Sequence, residues 1–136
     1  MWSHEESIET SASPARVWSI LADVPRWPRW NAGIDTIELH GPFATGTSFS
    51  MRLPGEDIPL RSVLLDVAAH ERFVDETLVG DVRVVVSHEI VPMDINRTMI
   101  VYRTEVTGPD AADVGAAVTA DFPDVLRELK RVVEAE

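Results

Sequence analysis

The sequence predicts an α+β domain in which a curved antiparallel sheet of about seven strands wraps around a long C-terminal helix, with two short helices after the first strand. Three observations predict it. From Ile34 to about Gly108, strand-like runs are separated by Gly, Pro, Asp and Asn, the punctuation of an antiparallel meander. The last segment, Asp110 to Glu136, carries Val114, Val118, Phe122, Val125, Leu126, Leu129, Val132 and Val133 at helical spacing. Between these and the N-terminus, a Ser-Pro helix start is followed by two closely spaced prolines, Pro25 and Pro28. At 136 residues and 45% hydrophobic composition, the chain fits a single domain, 1–136, able to bury a core without disulfides or metal.

Each element follows from local chemistry. Glu5 to Thr10 reads as the opening strand, after which Ser13 caps a helix and Pro14 occupies its first turn, where no N–H is needed. Val17, Trp18 and Leu21 give that helix one apolar face, and the two prolines end it, leaving a second short helical turn around Trp27 and Trp30. The strands that follow are Ile34 to His40, Thr47 to Leu53, Pro59 to Ala68, Arg72 to Val79, Val82 to Met93 and Arg97 to Thr107. Gly80-Asp81 and Pro92 to Asn96 mark tight turns. Pro123 falls inside the closing amphipathic segment, where its ring meets the Thr119 carbonyl, so a bend or two abutting helices is expected there.

Composition excludes several functions. The absence of Cys removes thiol catalysis and Cys-based zinc sites, and no run approaches the roughly 18 apolar residues of a membrane span. The acidic start MWSHEESIETSAS lacks the apolar stretch of a secretory signal, so a cytoplasmic location is expected. A net charge of −11 opposes phosphate backbones and anionic lipids, which argues against nucleic acid and membrane surfaces as partners. There is no phosphate loop, no His-Glu-x-x-His and no Gly-x-Ser-x-Gly, and the four His are scattered, so neither a metal nor another cofactor is expected. A neutral, apolar or cationic small molecule fits the composition, and homodimerisation stays open. Arg52, Arg61 and Arg103 are expected on the solvent face of their strands.

The candidate site residues come from strand alternation. Val82, Val84, Val86, His88 and Ile90 share one face, opposite Arg83 and Glu89, so His88 points inward. There it is either an acid–base group for a bound phenol or carbonyl, or a core histidine held by a hydrogen bond. Tyr102 and Thr104 share a face with Ile100 and Val106, and Asp75 and Thr77 with Phe73 and Val79. These are the candidate polar contacts of an apolar pocket, with His88 and Tyr102 the candidate catalytic pair. For Asp75 the cost of burying a lone carboxylate favours an irregular strand end facing water. Trp27 and Trp30 are either pocket wall or anchors of a proline-rich turn, while Trp18 reads as core. Phe49, Val86, Val118 and Phe122 complete the candidate lining.

Three stretches carry a family likeness: Ile8-Glu-Thr-Ser-Ala-Ser-Pro-Ala-Arg-Val-Trp18, Leu21-Ala-Asp-Val-Pro-Arg-Trp27-Pro-Arg-Trp30-Asn31, and Tyr102-Arg-Thr-Glu-Val-Thr-Gly108-Pro109 before the last helix. With these the chain resembles the START-like, or SRPBCC, superfamily, in its polyketide cyclase/dehydrase and lipid-transport branch, over nearly its whole length. The resemblance implies a helix-grip fold. It does not imply one activity, since members bind lipids, hormones and polyketides and only some transform them. The expected function is therefore binding of a hydrophobic small molecule (lipid, polyketide or aromatic metabolite) between sheet and C-terminal helix. Two alternatives stand beside it: an aromatase/cyclase- or dehydratase-like enzyme using polar pocket residues, and a co-chaperone-like or antitoxin-like protein-interaction module.

Overall fold

The computed structural model describes residues 1–135 and follows the expected order of elements. Strand β1 (Trp2–Thr10) leads into helix α1 (Pro14–Leu21), where the Ser13 hydroxyl accepts the Arg16 N–H at 3.2 Å and Pro14 fills the first turn. The prolines do not allow a second α-helix. Val24–Arg29 instead forms a 3₁₀ turn that buries Val24 and Trp27, with Trp30 closing it as the cap residue.

Strands β2 (Thr36–Leu39), β3 (Ser48–Arg52), β4 (Leu60–Ala68), β5 (Arg72–Val79), β6 (Val82–Asp94) and β7 (Arg97–Thr107) then build the meander. With β1 they make one seven-stranded sheet in the order β1-β7-β6-β5-β4-β3-β2, every neighbouring pair antiparallel. The β5–β6 hairpin closes through Gly80 and Asp81, and Gly80 takes φ 61°, a left-handed conformation that a glycine adopts without strain. β4 carries a bulge between Leu64 and Asp66, opposite Asp75 of β5.

Two strand starts differ from expectation by more than one residue. β1 begins at Trp2 rather than Glu5, because Trp2 to Glu5 pair with Val106 to Arg103 of β7 even though the run is largely polar. β2 is shorter than Ile34 to His40, since Ile34 turns into the core ahead of the strand. Arg52, Arg61 and Arg103 do lie on the exposed face.

The closing segment is broken into α2 (Ala111–Thr119) and α3 (Phe122–Glu134), with Pro123 in the first turn of α3, where its missing N–H leaves no bond unmade. α3 buries Val125, Leu126, Leu129, Val132 and Val133 in the core with Val17, Leu21, Phe73 and Ile100. Its C-terminus is tied down by Arg16, whose guanidinium donates to the Ala135 carbonyl at 3.0 Å, and by Thr10, whose hydroxyl donates to Glu134 at 2.7 Å. α2 sits differently. Its Gly115 lies against Trp2, so close that a Cβ there would fall 2.2 Å from the indole ring. No helix among the described residues is long and apolar enough to cross a membrane.

Candidate functional site

Where the sheet bends away from the broken helix, a cavity of about 640 Å³ remains. The 3₁₀ turn contributes Trp27 and Trp30, β3 Phe49 and Met51, β5 Phe73, Asp75 and Thr77, β6 Val84, Val86 and His88, and β7 Tyr102. The roof is Val114, Ala117 and Val118 of α2, then Asp121 and Phe122 at the helix break. Trp27 and Trp30 are thus both pocket wall and turn anchor. Trp27 also donates its indole N–H to the Leu21 carbonyl at 2.9 Å, which holds the 3₁₀ turn against α1.

Aromatic rings line the inner end in sequence. Phe73 stacks on His88 with centroids 4.0 Å apart and on Trp27 at 5.5 Å, His88 meets Tyr102 edge-on at 4.5 Å, and Tyr102 meets Phe122 edge-on at 5.4 Å. Phe73 and His88 face each other directly across β5 and β6, so register alone sets the stack. His88 Nδ1 lies 3.3 Å from the Phe73 carbonyl oxygen. A carbonyl can only accept, so Nδ1 carries the proton and Nε2 is left as an acceptor, aimed towards Asp75 Oδ2 at 3.9 Å.

Asp75 is the main correction. It faces the cavity and is 9% exposed rather than pointing to water, because the irregularity lies across from it in β4 and leaves the alternation of β5 intact. Burial pushes its carboxyl from 3.8 up to about 7. The same desolvation pulls His88 from 6.5 down to about 3, against a smaller opposing effect of the Phe73 carbonyl. The 3.9 Å pair is therefore not an ion pair at neutral pH: the imidazole is neutral, and the proton of the pair belongs to the carboxyl.

A pH prediction follows. The carboxyl, raised in the folded state, adds stability that is complete below pH 3.8 and is lost as pH rises through about 7. The imidazole, lowered in the folded state, adds stability that is complete above 6.5 and is lost as pH falls through about 3. Between 3.8 and 6.5 the two slopes, each about 1.4 kcal/mol per pH unit, cancel. Relative to wild type, Asp75→Asn should lose stability as pH is lowered from 6.5 to 3.8, and His88→Asn as it is raised over the same span. Urea titrations at several pH values measure this, and parallel profiles for all three proteins would show that neither proton moves on folding.

Of the other polar candidates, Thr77 shares its hydroxyl with Ser62, and Tyr102 presents its ring while its own hydroxyl is enclosed without a partner. Burial, with Asp75 and Asp121 nearby, raises the phenol's pKa above its ordinary value, so it stays protonated. Thr104 is not on the cavity wall. It is buried two residues further along β7, under the α2 end of the sheet, with its hydroxyl also unpartnered. Residues absent from the expected lining include Phe73, Met51 and Asp121. Alternation with Asp75 places Phe73 on the inner face, whereas Asp121 reaches the cavity only because the helix breaks beside it.

The same architecture recurs in solved structures of low sequence identity. A truncated norcoclaurine synthase from Thalictrum flavum superposes with TM-score 0.79 at 16% identity, covering 99% of this chain and 94% of that one. The Zhui aromatase/cyclase from Streptomyces sp. R1128 gives TM-score 0.79 at 17% identity over 98% and 93% of the chains. A START superfamily protein from Mycobacterium smegmatis gives 0.75 at 17% over 97% of each. No curated protein matches the sequence significantly. The family model for polyketide cyclase / dehydrase and lipid transport matches residues 1–134, and the chain, with its helix-grip fold, belongs to that family.

Proposed function

We propose that the chain binds a hydrophobic small molecule, a lipid, polyketide or aromatic metabolite, in this cavity. The observation that carries the reading is the cavity itself: about 640 Å³, walled mostly by aromatic and aliphatic side chains, with few polar groups, Asp75, Thr77 and His88 of β5 and β6 among them. Volumes of roughly 300 to 1,000 Å³ suit ligands of drug size. An unfilled interior favours a ligand over the protein-interaction reading, which calls for a packed core and an apolar outer patch. Native mass spectrometry of the protein as purified, with an extract screen, tests it. The expected result is a co-purified or captured apolar molecule of a few hundred daltons, and persistent absence of any adduct would overturn the reading.

A second reading, turnover of the bound molecule, is supported by one observation: a cavity-facing carboxyl whose pKa is raised to about 7 beside an imidazole whose Nε2 is an acceptor. A group poised near ambient pH suits acid–base work such as enolisation and dehydration. With a turned-over substrate in hand, Asp75→Asn and His88→Asn should each lower the saturated rate by roughly 100-fold or more. Undiminished turnover in both variants would remove the pair from the chemistry.

A further inference from the structure

The ionisable groups on the cavity wall are Asp75, His88, Tyr102 and Asp121, and among the described residues neither Lys nor Arg joins them. Among the described residues Asp75 has no hydrogen-bond partner; it lies on β5, with His88 of β6 and Tyr102 of β7 as its titratable neighbours. On its other side β4 offers Leu64 as its cross-strand partner, and Asp121 stands at the helix break. The phenol hydroxyl of Tyr102 is enclosed and the Phe73 carbonyl fixes the His88 tautomer, so once Asp75 has lost its proton, above about pH 7, the Asp75–His88 pair offers a ligand acceptors: two carboxylate oxygens and Nε2.

From this we infer that the ligand is an amphipathic amine whose ammonium group docks on Asp75 and His88 Nε2 while its apolar body fills the aromatic cavity. This rests on the small-molecule reading above and narrows its ligand class. An ammonium brings three N–H donors to a wall of acceptors, and its bond to a carboxylate is charge-assisted. An anionic ligand would meet two carboxylates and no counter-charge, after approaching a chain of net charge −11. Above pH 7 the apo protein already bears the cost of a buried carboxylate, so the amine adds only its own desolvation.

The test compares three probes of matched shape: 2-(2-naphthyl)ethylamine, 2-(2-naphthyl)ethanol and 2-naphthylacetate, followed by quenching of the cavity tryptophans or by calorimetry. At pH 8 the amine should bind roughly tenfold or more tighter than the alcohol, and the acetate weakest. In wild type, lowering the pH from 8 to 6 should erode the amine's advantage roughly tenfold as Asp75 takes up its proton, with the alcohol little changed. In Asp75→Asn the ratio of amine to alcohol affinity should fall to about one; if that variant does not fold, the wild-type pH series decides alone. Alcohol or acetate binding as tightly as the amine, or an amine advantage indifferent to pH, would overturn the amine assignment and leave a small-molecule cavity standing. Binding of none of the three would count against the cavity reading itself.

Discussion

Leu126→Ala is expected to destabilise the fold by about 2 to 5 kcal/mol, read as a shift in the urea midpoint at unchanged slope. Leu126 is 1% exposed on α3 and packs in the cluster shared by Val17, Leu21, Phe73 and Ile100, so truncation forfeits both transfer energy and the contacts around the space left behind. Collapse into that space is limited, because α3 is held at its far end by Arg16 and Thr10. A loss below roughly 1 kcal/mol would show that α3 does not form the keystone of the sheet. The same change at Val118 should cost less: that side chain is only half-buried and borders the cavity.

Phe73→Ala should cost about 3 to 5 kcal/mol and release His88 as well. Phe73 is fully buried, and its ring lies between the imidazole of His88 and the indole of Trp27, with Phe43 against its edge. Removing it opens the face of the imidazole to water, so the His88 pKa should climb from about 3 back towards 6.5. Denaturant titration gives the first quantity and NMR titration of the imidazole the second. An unmoved imidazole would mean that other groups supply its desolvation.

The strands and the closing helix were legible because their cues are local: Ser13-Pro14, Gly80-Asp81, the alternation from Val82 to Ile90, and the spacing of Val125, Leu126 and Leu129. The start of β1 was not, since Trp2-Ser-His-Glu5 has a polar pattern and owes its strand form to pairing with β7. Inward placement of His88 and Tyr102 followed from the period of two, and the same rule applied to β5 places Phe73 and Asp75 inside. Asp75 was set outside by a sound energetic argument against a lone buried carboxylate. The chain meets that cost by keeping the carboxyl protonated up to about pH 7, an outcome that depends on tertiary surroundings. Thr104 obeys the period and still misses the cavity, because alternation assigns a face and says nothing of position along it.

The break between α2 and α3 separates two kinds of constraint within one closing segment. α3 contributes five buried side chains to the core and little more than its first residue, Phe122, to the cavity. α2 contributes Val114, Ala117 and Val118 to the cavity, while its fully buried positions are Gly115, under Trp2, and Thr119, whose hydroxyl bonds back to the Gly115 carbonyl. Substitutions at the three roof positions can therefore reshape the space a ligand meets at small cost to folding, whereas drift in α3 is answered directly by loss of stability. The cavity roof is thus the part of this domain free to diversify, and libraries aimed at new ligand preference belong at Val114, Ala117 and Val118.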